Sequence, residues 1–344
     1  MKNNKKYEID MTNGTIMDKL ITFSLPLMLS GILQLMFNAV DIIVVGQFSG
    51  SRPLAAVGST SALINLFTNF FIGISLGTNV LAARFFASGK IKEMSDTVHT
   101  SILFAAISGV VMMIVGLLFS RFALELMETP DEVIDMAALY LKIYFVGVPF
   151  LLYNYGAAVL RAVGDTRRPL VFLVISGAVN AILNMVLVIL FHLDVEGVAI
   201  ATVISQMISC VLVLRCLCKT DACYQLHFSK LSINGKYLRQ IFQVGVPAGI
   251  QSTVINFSNV LLQSSVNSFG EIAMAGYTAA NNILGFLYVS VNSITQACMS
   301  FTSQNYGVRK FKRMDKVLID CMILSVIVSV VIGGGSYILG RQIL

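Results

Sequence analysis

Nine stretches of this chain are long and apolar enough to cross a lipid bilayer, and no other feature restricts its architecture as much. With about 20 helical residues needed per crossing, they are Ile16–Val45, Leu54–Ala83, Thr97–Phe119, Leu139–Val159, Pro169–Phe191, Val195–Leu217, Ile241–Ser265, Ile272–Phe301 and Val317–Leu339. The runs are continuous rather than alternating, which fits helices and disfavours the period-two strands of a closed barrel. Composition agrees: 56% of residues are hydrophobic and 12% charged, against about 25% charged in a soluble domain. The expectation is an all-α polytopic membrane protein with nine transmembrane helices. The first run is too long for a signal-peptide core and no cleavage pattern follows it, so it counts as a span.

Charge sets the expected orientation. With a cytoplasmic N-terminus, the inner segments hold every one of the 24 Lys and Arg residues except Arg52, Arg121, Lys142 and Arg341, as the positive-inside rule requires. The net charge of +6 therefore reflects topology and not nucleic-acid binding. A multi-pass protein of the cell membrane is expected.

The chain also repeats itself. "ITFSLPLMLSG" (Ile21–Gly31) aligns with "FQVGVPAGIQS" (Phe242–Ser252), bringing Pro26 onto Pro247; "AVGST" (Ala56–Thr60) then follows "MAGYT" (Met274–Thr278), and Gly89 follows Gly307. Six spans lie between the copies, an even number, so both copies enter the membrane in the same sense and relate by an axis along its normal. The domain division is residues 1–233, a six-helix N-terminal lobe, and residues 234–344, the first three helices of a C-terminal lobe. By this logic the second lobe is incomplete, and the expectation is a fragment or a shortened reading frame.

Within the first span, "MFNAVDIIVVGQF" places a carboxylate, Asp41, in an apolar run. A charge at the centre of a membrane helix costs about 2.5 to 3.5 kcal/mol on insertion scales, so such residues face a bundle interior or a water-filled cavity. Ser30, Gln34, Asn38 and Asp41 share one helical face by their spacing. Similar stripes are Ser61, Asn65 and Thr68; Ser176, Asn180 and Asn184; Thr202, Ser205, Gln206 and Ser209; and Ser252, Asn256, Asn259 and Gln263. Single hydroxyls often only join helices, at about 0.6 kcal/mol per pair, but coincident Asn and Gln stripes are costly in lipid and predict a polar cavity.

Asp41 in its stripe, the "LRAVGDTRRP" loop (Leu160–Pro169), "AAVGSTSAL" and "VEGVAIATVISQ" resemble the multidrug and toxic compound extrusion (MATE) transporters, closest to the DinF-like branch. The resemblance implies two six-helix lobes and export of organic, often cationic, compounds in exchange for protons or sodium ions, without enzymatic chemistry or a resident cofactor. It implies a coupling site of Asp41 with Asn180, Asn184, Thr202 and Asn154. The stripes themselves point to a cavity lined by Gln34, Asn38, Asn65, Gln206, Asn256 and Asn259, and Pro26, which removes one helical hydrogen bond, lets the first helix bend, as the resemblance likewise implies. Asn184 departs from members with a second aspartate there, which leaves the ion open, and Ile255 stands where another branch has its seventh-helix glutamate. The partners expected are the substrate, the coupling ion and membrane lipid, with a monomeric protein.

Removal from water disfavours the charged form of a carboxylate, so Asp41 is expected to load and release a proton near neutral pH. Asn180, Asn184 and Thr202 offer hydrogen bonds to either state, or oxygen ligands to sodium, a hard cation. One charge moving down about 100 mV supplies about 2.3 kcal/mol, which sustains roughly a 50-fold gradient. The rivals are a lipid-linked oligosaccharide flippase, which calls for basic residues in the cavity, and a non-transporting truncated half.

Three further signals read as structural. "GISLG" (Gly73–Gly77) fits a nucleophile-elbow pattern, but that needs a strand-to-helix turn, and glycines four apart let membrane helices approach closely. Cys216, Cys218, Cys223 and His227 lack a standard zinc spacing, and the three cysteines read as reduced thiols of an inner loop. Tyr140, Lys142 and Tyr144 read as anchors at the outer end of the fourth span.

Overall fold

The computed structural model describes residues 7–267 and 271–343; Lys2, Lys5 and Lys6, and the side chains of Gln263 and Arg341, lie outside the described residues. Ten α-helices follow in order: α1 (Met17–Phe48), α2 (Ser51–Ala87), α3 (Ile91–Leu126), α4 (Asp131–Gly147), α5 (Leu152–Ala162), α6 (Arg167–Asn184), α7 (Val195–Lys219), α8 (Gly235–Asn267), α9 (Glu271–Gly307) and α10 (Phe311–Ile343). The fourth span is α4 and α5 in line, interrupted by a tight turn at Val148–Leu151 that carries Pro149. Proline has no amide hydrogen to donate, so a helix is readily broken there.

Among the described residues, eight helical segments satisfy length and hydropathy for a membrane crossing. The ninth expected span is α8, which is as long as the others but diluted by Gln251, Ser252, Asn256, Ser258 and Asn259. On the division the repeat gives, the N-terminal lobe is α1 to α7; the largest buried core, from Val44 to Ile241, crosses that division through Tyr237 and Ile241 of α8. The C-terminal lobe comprises α8, α9 and α10.

The lobes meet by exchange of equivalent helices: α2 packs on α8, and α1 on α9. Since the repeat equates α1 with α8 and α2 with α9, each contact is the image of the other about an axis along the membrane normal. They are not equally tight. A Cβ on Gly73 would lie 2.4 Å from the Gly249 Cα, one on Gly77 would lie 2.1 Å from the Ile241 carbonyl oxygen, and one on Gly245 would lie 2.6 Å from the Ile74 Cα. "GISLG" on α2 and "GVPAG" on α8 thus let two backbones touch where any side chain would hold them apart.

These contacts lie near the C-terminal end of α2 and the N-terminal half of α8. On the same side Phe23 of α1 meets Phe301 of α9 edge to face at 5.7 Å, Ser300 donates to Asn79 Oδ1 at 3.0 Å, and Gln304 Nε2 donates to the Ala162 carbonyl at 2.7 Å. Toward the other side, Met36, Ile42, Ile43, Val254, Phe257 and Leu261 are all exposed. The lobe contacts made by Gly73, Gly77, Phe23, Asn79 and Gln304 lie toward the end where α1 begins.

The loop between α5 and α6 is held by a buried ion pair. Asp165, 0% exposed, accepts the Arg167 and Arg168 backbone N–H groups, each at 3.1 Å, and pairs with the Arg168 side chain. It therefore satisfies the first turn of α6 as a helix cap does. Asp165→Ala leaves Arg168 without its carboxylate and two amides unmet, a loss of about 3 to 5 kcal/mol. A markedly lowered thermal midpoint of the purified variant is the expected result.

Candidate functional site

Asp41 reaches its partners because α1 and α6 approach closely one turn earlier. The Phe37 ring lies over Gly177, where a Cβ would meet it at 1.8 Å. Phe37 and Asp41 are four apart on α1, and Gly177, Asn180 and Asn184 follow at intervals of three and four on α6, so each set shares one helical face.

The Asn184 side-chain amide donates to Asp41 Oδ1 and also faces Asn180 Oδ1 at 3.3 Å. Asn184 is 0% exposed and Asn180 5%. Asn184 Oδ1 is buried with no hydrogen-bond partner among the described residues; Thr202 Oγ1 on α7 is likewise buried and unpartnered, and no hydrogen bond joins it to Asp41, Asn180 or Asn184. A buried oxygen left unmatched costs about 1 to 3 kcal/mol, and such atoms are ready acceptors for a proton-bearing group or a hard cation. Immediately after Asn184 the helix widens into a turn with i→i+5 hydrogen bonding, Met185–Leu190, a distortion found mostly at functional positions.

The other residues distribute as follows. Asn154, on α5 just after the Pro149 turn, makes no hydrogen bond to Asp41, Asn180 or Asn184 among the described residues, so the structure does not join it to that group. Gln34, Asn38, Asn65 and Asn259 are exposed, and Asn256 half-buried, on the faces of α1, α2 and α8. Gln206 of α7 lies inside the N-terminal lobe, 3.0 Å from where a Gly147 Cβ would stand. Pro26 is buried within α1; it deprives the Thr22 carbonyl of its helical donor, while its own carbonyl accepts the Ser30 hydroxyl at 2.8 Å.

Tyr140 and Tyr144 correct the sequence reading. They are 7% and 8% exposed, not surface anchors. Tyr144 O–H faces Thr68 Oγ1 at 3.2 Å, and Tyr140 lies within electrostatic reach of Asp41. Their helix turns inward, with Lys142 alone exposed between them; the four-residue spacing of the tyrosines was the signal for a shared inner face. Arg161, expected in an inner loop, ends α5 at the lobe boundary and donates to Gln296 Oε1 of α9 at 3.0 Å. Among the described residues no three His, Cys, Asp or Glu side chains converge on a metal position. Cys216 faces Arg168 at 3.2 Å, and the His227 backbone N–H donates to His99 Nε2 at 3.1 Å.

The chain is 31% identical over 332 residues to the probable multidrug resistance protein YoeA of Bacillus subtilis (strain 168), covering 94% of this chain and 71% of that one. It is 22% identical to the multidrug export protein MepA of Staphylococcus aureus (strain NCTC 8325 / PS 47), covering 95% and 72%. Among solved structures, an outward-facing multidrug resistance MATE family transporter of the MOP superfamily superposes with a TM-score of 0.91 at 21% identity, over 97% of this chain and 74% of that one. A MATE protein in complex with MaD3S gives 0.90 at 22% identity, over 97% and 76%; these two likenesses establish the fold. The MatE family model matches residues 26–186 and 247–344, and these segments take in both lobes and the helices bearing Asp41 and Asn180. The chain belongs to the MatE family of membrane transporters.

Proposed function

We propose that this protein exports small organic compounds from the cell in exchange for protons or sodium ions, coupled through Asp41. The observation that carries the reading is a membrane-embedded carboxylate whose nearest partner, Asn184, offers either a donor or an acceptor. With Asp41 ionised, the Asn184 N–H group bonds it. With Asp41 protonated, a half-turn of the same amide presents Oδ1 to the new O–H group. Alternatively the Asp41 carboxylate, Asn184 Oδ1 and Thr202 Oγ1 supply oxygen ligands to sodium.

Each occupancy reorganises the contact between α1 and α6. Since α1 also packs against α9, a shift in α1 reaches the lobe boundary, and Pro26 supplies a weak point at which the helix bends. The names of the relatives, multidrug resistance and multidrug export proteins, support organic substrates. The excess of Lys and Arg on one set of loops supports a cytoplasmic N-terminus in the cell membrane. In that orientation the joined end of the lobes is cytoplasmic and the cavity opens outward.

The test is uptake of a fluorescent organic cation into proteoliposomes under a proton gradient or a sodium gradient imposed separately. At least one gradient is expected to drive accumulation, to roughly 50-fold per charge per 100 mV at most. Equal uptake with and without either gradient overturns the proposal.

A further inference from the structure

The segment before α1 is not a free leader. Residues 7–16 lie across the joined end of the molecule and touch both lobes. On the N-terminal lobe, Ile9 runs over Gly164, whose φ of +94° and missing Cβ admit it: a Cβ there would lie 2.5 Å from both Ile9 N and Ile9 O. Tyr224 O–H donates to Glu8 Oε1 at 3.1 Å. On the C-terminal lobe, Asn305 Nδ2 donates to the Met11 carbonyl at 3.1 Å, Lys310 Nζ to the Thr12 carbonyl at 2.9 Å and Asn13 Oδ1 at 2.8 Å, and Arg313 to the Asn13 carbonyl at 3.0 Å.

The segment is also built to keep its shape. Asp10 accepts the Thr12 amide, the Thr12 hydroxyl and the Asn13 side chain at 2.8 to 2.9 Å, and Lys19 Nζ donates back to the Asp10 and Asn13 carbonyls. Slight burial opposes ionisation of Asp10, but the hydrogen bonds from Asn13 and Thr12 and the Lys19 charge outweigh it and hold its carboxyl at about 2. The turn is therefore intact at any cellular pH. Beneath it Met11 and Ile16 are buried in one cluster with Leu20, Phe23, Ile294 and Phe301, which spans α1 and α9.

From this geometry we infer that residues 7–16 form a strap that locks the two lobes together at this end, and that release of Lys310 and Arg313 from its carbonyls is a required step when the lobes part there. The inference rests on the alternating-access reading above but not on which residue couples the ion. Charge-assisted bonds to backbone oxygens suit such a lock: they are strong while dry and exchange readily for water once the end opens.

The test uses a cysteine-free version of the chain carrying Ser300→Cys as reporter, because Ser300 is 1% exposed at the lobe contact. Maleimide labelling is timed in open membrane sheets without substrate or ion gradient. Lys310→Ala with Arg313→Ala is expected to label about tenfold faster or more than Lys312→Ala, which removes a neighbouring charge that makes no hydrogen bond to the described residues of the strap. Lys310→Arg, which keeps the donor, stays near the parent rate. Should the double variant fail to accumulate, Asn13→Ala removes one of the two strap acceptors of Lys310, leaving the Thr12 carbonyl, and is expected to raise the rate in the same direction by a smaller factor. Labelling no faster than in Lys312→Ala overturns the lock. Transport is not read in this assay, so failure of the Asp41 assignment leaves its outcome unaltered.

Discussion

Asp41→Asn is expected to reduce gradient-driven transport to background while the protein becomes no less stable. The substitution keeps the shape of the side chain and a partner for Asn184, since the new amide oxygen still accepts the Asn184 N–H, though without the added strength of a charged acceptor. What it removes is the ability to take up and release a proton, or to place a full negative charge beside a sodium ion. An ionised carboxylate in this position costs about 2.5 to 3.5 kcal/mol on insertion scales, so its neutral isostere is expected to leave the thermal midpoint unchanged or raised. The pairing of lost transport with retained stability separates a coupling residue from a packing residue, whose replacement lowers both. The measurements are proton- or sodium-driven uptake and thermal unfolding of the same preparation. Undiminished uptake by Asp41→Asn removes it from the mechanism.

The second large effect is expected at the crossing of α2 and α8. Gly77→Val introduces a branched side chain where even its first carbon would lie 2.1 Å from the Ile241 carbonyl oxygen and 3.1 Å from the Gly245 nitrogen. The obstacles are backbone atoms, so no rotamer change relieves the overlap and the helices must separate. Overpacking typically costs about 1 to 3 kcal/mol and occasionally more, and at about 3 kcal/mol the joined arrangement is disfavoured roughly 100-fold. Spin labels at Lys90 and Arg239, both exposed near these helix ends, are expected to report a longer and broader distance in Gly77→Val than in the parent, with transport lost. Gly58→Val is the control, because nothing lies within 4 Å of a Cβ at Gly58. An unchanged distance in Gly77→Val shows that the crossing does not depend on the bare backbone.

Much of the architecture was readable before any coordinates. Hydropathy over 20 residues and the spacing of polar groups on one helix are local properties, so the spans, the Asp41 stripe and the Asn180 and Asn184 pair all appear in the linear pattern. The duplication is equally a matter of order along the chain, and it anticipated which helices of the two lobes are equivalent. Resemblance to a family, rather than spacing, was needed to bring Asp41 to Asn184, because the two are separated by 143 positions and no one-dimensional period connects them.

Other features arose only from packing. Tyr140 and Tyr144 look like interfacial anchors when judged by distance from a helix end, and only the docking of α4 against α2 and α7 turns them inward. The glycines of α2 and α8 announce close approach, but not to which helix. Residues 7–16 have the composition of a solvated leader, and their role at the lobe junction depends on Asn305, Lys310 and Arg313, nearly 300 positions away. Hydrophobicity and helical period determined what crosses the membrane and which faces carry polar groups. Which faces meet, and at which end the lobes close, was decided by three-dimensional fit, because whether a facing backbone leaves room for a Cβ at Gly73, Gly77 or Gly245 depends on the joint placement of two distant helices and on neither alone.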